Sequence, residues 1–329
     1  MTLGLDTRRD ADPTVGALAE PAVRRGLRRR RPPVVEDATA RGITTSRDAR
    51  GPVARAVRRV VYTLLLVGLV LASLGPLLWL AKSAITPTQD TLRHPMALWP
   101  NGTDWSNLKT AWVDVQLDRY FLNTIIIAAG SWACQMVVAT TGGYVLSVLR
   151  PRYARVLNAA VLVTLFVPAV VLLVPLYLTV LDVPLVHRNL INSWWGVVLP
   201  AGASAFNVIL MKRFFDSLPR EVFEAATVDG AGPWRLFWSV TLPMSRPVLG
   251  VVSVFAVLAA WKDFIWPLLV LPDPAKQPLS VRLPTLQPII ELDVFLAALL
   301  ISTALPIIIF LVFQRLFLRS GELSGAIKG

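Results

Sequence analysis

Six apolar runs alternate with polar segments along this chain. Five of them, residues 60–81, 122–149, 156–181, 248–271 and 294–313, reach the roughly 20 residues that a helix needs to cross a hydrocarbon core of about 30 Å. The sixth run, 194–211, is shorter and carries Gly196, Pro200, Gly202, Ser204 and Asn207. Small and polar residues of this kind suit a helix packed inside a membrane bundle, so the run counts as the fourth span. The pattern predicts an all-α integral membrane protein with six transmembrane helices.

Basic residues orient these spans. Arg150-Pro151-Arg152-Tyr153-Ala154-Arg155 holds three arginines and no acid, and the segment 212–246 carries Lys212, Arg213, Arg220, Arg235 and Arg246. Both belong on the cytoplasmic side. The N- and C-termini then also fall inside, and 82–119, 182–193 and 272–293 fall outside. Residues 1–59 are rich in arginine, including the run Arg28 to Arg31, and show no sustained periodicity. They are expected to form a disordered cytoplasmic tail. The following apolar run starts too far from Met1, and is too long, for a cleaved secretory signal. Arg58-Arg59 before it fits a positive-inside anchor better than a twin-arginine signal.

Composition agrees with the span pattern and removes other classes. Hydrophobic residues make up 54% of the 329 and charged residues 16%, with a mean hydropathy of +0.57, outside the soluble globular range. The net charge of +12 is weighted towards the tail rather than a recognisable nucleic-acid module, so no nucleic-acid partner is expected. Cys134 alone forms no intrachain disulfide, and His94 and His187 are too isolated for a histidine-based metal site. No G-x4-G-K-[ST], H-E-x-x-H, C-x-x-C or G-x-S-x-G pattern occurs. The chain is therefore expected to be no enzyme and to bind no metal.

The polar segment at about 212–247 has a local logic of its own. Ser217 can cap a helix, Pro219 suits its first turn, and Glu221 and Glu224 place negative charge near its positive end. A short helix over 218–229 follows, stopped by Gly230 in a left-handed conformation. Gly232-Pro233 then opens a second helical stretch with Trp234, Leu236, Phe237 and Val240 as its apolar residues. Ala225 and Ala226, with an acid beside them, would let this helix lie close in a groove of another protein.

The residues Glu224-Ala225-Ala226-Thr227-Val228-Asp229-Gly230, followed after nine positions by Val240-Thr241-Leu242-Pro243, resemble the EAA loop of binding-protein-dependent ABC importers. Val240 stands where that pattern usually has isoleucine. Further stretches are similar to the carbohydrate-uptake branch, in particular its maltose-permease-like second membrane subunit. They include Arg119-Tyr120-Phe121-Leu122-Asn123-Thr124, Arg213-Phe214-Phe215-Asp216-Ser217-Leu218-Pro219, Trp261-Lys262-Asp263-Phe264-Ile265-Trp266-Pro267 and the terminal Gly325-Ala326-Ile327-Lys328-Gly329. The similarity covers about 60–329 and implies a type I ABC importer permease-like fold, a multi-pass protein of the bacterial inner or plasma membrane. It also implies four kinds of partner: a second permease subunit in a heterodimer, an ATPase subunit dimer, an extracytoplasmic solute-binding protein and membrane lipid. ATP and magnesium would sit on the ATPase, with no cofactor on this chain. Glu221, Glu224, Ala225, Ala226, Asp229, Gly230, Leu242 and Pro243 would couple the two. The solute implied is a sugar or oligosaccharide; a polyol, glycerol phosphate or another solute is the alternative within the class, and a secondary transporter the alternative outside it.

The chain departs from the resemblance at Lys262, where the related pattern is Trp-Asn-Asp-Phe. Ionisable groups in hydrocarbon are costly and face protein or water. Lys262 and Asp263, with Trp261, Gln135 and Asn207, are therefore candidates for a translocation pathway. Polar groups that tie helices together are the other reading. If the helix runs through this stretch, Lys262 and Asp263 point about 100° apart and cannot neutralise one another across one face.

Overall fold

In the structure, a computed structural model that describes residues 52–326, the chain is helical, and among the described residues only an isolated bridge between Val183 and Arg188 has β character. Helix α1 (Pro52–Ala84) leads to the short α2 (Thr88–Arg93) and α3 (Ser106–Lys109). Helix α4 (Leu117–Tyr144) runs on through a wider π turn to Leu149. Then come α5 (Ala154–Thr164), α6 (Leu173–Leu181), α7 (Trp194–Ala201) and α8 (Ala205–Asp216). The polar loop is built from α9 (Arg220–Val228), α10 (Pro233–Arg235) and α11 (Leu242–Met244), and the chain continues through α12 (Arg246–Lys262), α13 (Ile265–Val270), α14 (Leu279–Leu286) and α15 (Leu292–Ala326). Contacts divide the chain between Leu65 and Leu66, inside α1, and everything beyond α1 belongs to the second unit. Most of the tail expected at 1–59 lies outside the described residues, as does 327–329. Residues 52–59 are helical, so α1 starts ahead of the apolar run.

Three of the apolar runs are long and apolar enough to cross a membrane alone: Ala56–Ala84, Leu117–Leu149 and Trp194–Asp216, the last interrupted between α7 and α8. The run weakest by sequence is thus among the strongest in structure. Its small residues serve close packing, as the similar content of α4 does. The expectation of one helix over 156–181 is corrected: α5 and the segment Ala169–Leu181 meet at 103°. Pro168 disfavours the helical conformation at Val167 and ends α5's direction there. Counting each bent pair as one, up to five helical units could cross, and α15 adds a shorter apolar stretch, Leu292–Ile308.

A second correction bears on chemistry. The run 248–271 is not one helix, because α12 stops at Lys262 and Asp263 is extended, at φ −69° and ψ 121°. Pro267 is the reason. It has no N–H to offer the carbonyl four residues back, which is that of Asp263, and its ring would clash there. The orphaned carbonyl accepts instead from Ser280 Oγ of α14, at 2.6 Å. The geometry assumed for Lys262 and Asp263 on one continuous helix therefore does not apply.

Helix α4 is the axis on which three apolar clusters form. Leu117 and Tyr120 at its start pack with Leu283, Leu286 and Ala297. Ile127 joins Val180, Val197 and Val270. Ala139 and Tyr144 near its end pack with Met211, Phe215, Phe237 and Val252. At this end α8 comes so close that a Cβ on Gly143 would lie 2.8 Å from Met211 Cβ and 3.0 Å from the Lys212 backbone nitrogen. Only glycine permits that approach, and a larger residue would push the two helices apart at a cost of about 1–3 kcal/mol.

Candidate functional site

The polar loop hangs from the last of these clusters. Phe223 and Ala226 of α9, and Leu242 of α11, turn inward against the cluster that holds the ends of α4 and α8 and the start of α12. Glu221, Glu224, Ala225, Asp229 and Pro243 face outward and are exposed, with Val222 and Val228 beside them. The run that looked uniform by sequence is therefore split: Ala225 offers a surface, whereas Ala226 and Leu242 hold the loop to its own chain. Tyr144 adds a second tie, its hydroxyl donating to Pro233 O at 2.8 Å.

The helix begins and ends for different reasons than its sequence suggests at one end, and for the expected reason at the other. Ser217 does not cap α9; its hydroxyl donates back to Phe214 O at 2.6 Å, closing α8, and Pro219 takes the cap position without a side-chain bond. At the C-terminal end Ala231 N donates to Ala226 O at 2.9 Å and Gly230 N to Thr227 O at 3.0 Å. This pair of bonds is a Schellman motif, with Gly230 left-handed at φ +80°. A Cβ there would meet nothing within 4 Å, so a substitution acts through the backbone alone. We expect Gly230→Val to cost about 1–2 kcal/mol in that conformation and to redirect α10, which, for the coupling loop that the sequence resemblance implies, would lower solute uptake without lowering the amount of protein in the membrane. Uptake at the wild-type rate would refute that role.

The apolar residues of the second stretch of the loop fall into two environments. Leu236 and Phe237 are buried, whereas Trp234 is exposed. A π-helical turn spans Leu236–Thr241, and Thr241 Oγ1 donates to Leu236 O five residues back at 3.0 Å. Trp234 and Trp238 instead flank an apolar groove with Met136, Val137 and Leu249. Amphipathic rings at the end of apolar helices suit a membrane–water boundary.

Sequence reasoning missed Asp216. Its carboxylate accepts from Lys212 Nζ at 2.6 Å, Ser147 Oγ at 2.8 Å and Arg150 Nη2 at 2.9 Å, joining the ends of α4 and α8 beside α9. The i,i+4 spacing of Lys212 and Asp216 was the available signal. Partly exposed pairs of this kind contribute about 0–1 kcal/mol each, so their effect is to fix geometry more than to add stability. Glu224 lines a pocket of about 190 Å³ with Ser147, Arg150 and Asp216.

Four of the five pathway candidates converge. Gln135, Asn207, Lys262 and Asp263 line one cavity of about 490 Å³, together with Ser131, Ser204, Phe206 and Phe255. Trp261 does not; it packs edge-on against Phe121 at 5.9 Å, in the cluster around the start of α4. Ser131 and Gln135 sit halfway along the continuous helix Leu117–Leu149. The facing walls are the two places where helices break: Ser204 at the α7–α8 junction, capping Asn207 N at 3.4 Å, and Asp263 after α12.

The amides within the cavity combine both readings left open by sequence. Asn207 Nδ2 donates to Gln135 Oε1 at 2.6 Å, linking α8 to α4. Bonds of this type in membrane bundles contribute about 0.6 kcal/mol and at most about 1.7. Asn207 Oδ1 and Ser131 Oγ, however, are buried and have no protein partner among the described residues. Each such group, if kept dry, costs about 1–3 kcal/mol. Gluing two helices therefore does not account for this set of polar atoms. Lys262 is exposed to the cavity and makes no ion pair among the described residues.

Residues 139–320 match the family described as binding-protein-dependent transport system inner membrane component. The chain is 30% identical over 246 residues to the diacetylchitobiose uptake system permease protein NgcG of Streptomyces coelicolor, covering 73% of this chain and 80% of the relative. It is 28% identical over 269 residues to the sn-glycerol-3-phosphate transport system permease protein UgpE of Pectobacterium atrosepticum, covering 78% and 93%. Among solved structures, a chain of a bacterial ABC transporter involved in the import of the acidic polysaccharide alginate has the same fold. The TM-score is 0.70 at 24% identity, over 80% of this chain and 98% of that one.

Proposed function

The chain belongs to the family of binding-protein-dependent transport system inner membrane components, and within it we propose that this permease passes a sugar or oligosaccharide through the cavity at the middle of α4. In this reading the six apolar runs form six spans, both termini and α9 are cytoplasmic, and the wall of the cavity opens alternately to either side. The observation that carries the proposal is the coincidence of two helix breaks with unpartnered polar atoms halfway along a membrane helix. Backbone that leaves the helix at membrane depth is tolerated where it is enclosed by protein or lines an aqueous path. Asn207 Oδ1 would accept from a solute hydroxyl or from water, and Ser131 Oγ would donate or accept.

The energy comes from elsewhere in this reading. An ATPase dimer, carrying ATP and magnesium, docks on the outward face of α9 and on its counterpart in a second, different permease subunit, while a solute-binding protein delivers from outside. Because α9 shares one apolar cluster with α4, α8 and α12, a push on Ala225 is transmitted to helices that line the cavity, the kind of rigid-element coupling that a switching transition requires. A polyol or glycerol phosphate remains the second reading of the solute, favoured by Lys262 and by the likeness to the glycerol phosphate permease. The test is purification of the full-length chain from its native membrane under mild detergent. An ATPase subunit and a second permease should accompany it, and its binding protein, titrated against a panel of sugars and glycerol phosphate, should select among them. A chain that purifies without any ATPase subunit would overturn the coupling reading.

A further inference from the structure

A second cavity, far along α4 from the first, has different chemistry. It encloses about 500 Å³ and is lined by Arg150, Arg152, Arg155, Lys212 and Asn158, with Pro151. Four cations thus surround one space at the polar end of α4 and α8, where α5 begins. No carboxylate lines this cavity; Asp216, outside its lining, accepts from Arg150 and Lys212. Arg152 and Arg155 are exposed and have no ion-pair partner among the described residues. Like charges gathered around a cavity repel one another, and a permanent excess of this kind is stabilised by an anion that sits among them.

The surroundings indicate the source of that anion. Tyr153, Val156 and Leu157 lie beside the arginines and are exposed, as are Val163 further along α5 and Phe166 just past its end. The basic cavity therefore opens next to an apolar face that in a bilayer meets acyl chains. No side chain caps α5, so the positive end of its dipole adds to the same field. Arg150 is in a left-handed conformation at φ 45° immediately before Pro151, which ends the helix that runs to Leu149 and opens the turn that carries Arg152. We propose that this cavity binds the phosphate headgroup of an anionic phospholipid, whose acyl chains lie along α5. A soluble anion would use the arginines but not the apolar face. Since the site includes Arg150 and Lys212, an occupied headgroup would hold the ends of α4 and α8 together, beside the attachment of α9.

The experiment uses the full-length chain, with whatever subunits accompany it, in nanodiscs of phosphatidylcholine containing a fixed share of phosphatidylglycerol. Native mass spectrometry then counts the lipids that stay bound on release. The wild-type chain should retain phosphatidylglycerol in preference to phosphatidylcholine. The double variant Arg152→Gln/Arg155→Gln should bind it about twenty-five-fold more weakly, roughly fivefold for each arginine near a membrane surface. Arg213→Gln, which removes a charge outside the cavity, should change retention far less. Unchanged retention in the double variant would overturn the proposal. So would displacement of phosphatidylglycerol by millimolar inorganic phosphate, which would assign the cavity to a soluble anion. Loss of a copurifying permease subunit with lipid retention unchanged would assign the arginines to a protein contact and equally overturn it.

Discussion

Replacing Ala225 by tryptophan is expected to abolish solute uptake and transport-coupled ATP hydrolysis while leaving the amount and thermal stability of the membrane protein unchanged. The residue is exposed on α9, and its methyl group sets how closely a partner can approach. An indole there holds the two surfaces apart across their centre. Loss of a central contact costs about 2–4 kcal/mol, or on the order of a hundredfold in affinity. Ala226→Trp supplies the contrast, since Ala226 points into the cluster shared with Phe215 and Phe237. Overpacking there costs about 1–3 kcal/mol of the chain's own stability, so this variant should lose thermal stability as well as uptake. Glu224→Lys should behave like Ala225→Trp, because it reverses a charge on the same outward face. Wild-type uptake by Ala225→Trp, measured against immunoblotted protein in the same membranes, would end the assignment of this face to the ATPase.

Lys262→Leu should reduce uptake by about tenfold or more, because a charged group that meets the solute contributes about 1.5–3 kcal/mol through a hydrogen bond that leucine cannot make. Lys262→Asn, which keeps donors at the cavity wall, should retain much of the rate but alter affinity or selectivity. Neither change should lower the amount of folded protein, since Lys262 has no partner among the described residues to lose. Thiol labelling gives the sharper readout. Lys262→Cys, in a Cys134→Ala background, should react with a water-soluble reagent in one transport state and be protected in the other. Cys134 must be removed first because it lies against Gly202, at the break that forms the cavity wall. Protection in every state would leave Lys262 a packing residue and end the pathway reading.

The sequence by itself determined the class of molecule and the local build of its polar loop. Hydrophobic runs of membrane length are a local property, as are the acid, small residues and glycine of the loop, so both were legible without a fold. Gly230 is the clearest case: its left-handed stop follows from the glycine and its neighbours, and the structure has it at φ +80°. The breaks at Pro168 and Asp263 could have been inferred, since proline's effect is also local, but length and hydropathy alone read through them. What only the tertiary structure decided is which side of each element matters. Ala225 and Ala226 are chemically identical neighbours, and their opposite facing depends on where a cluster from α4, α8 and α12 happens to sit. Gln135, Asn207 and Lys262 are distant in sequence, and the cavity that unites them exists because two interrupted helices face the middle of α4. Trp261, adjacent to Lys262 in the chain, is turned to a different cluster by the end of the same helix. Propensity acts over a few residues, whereas facing is set by the packing of helices that the chain brings together from far apart.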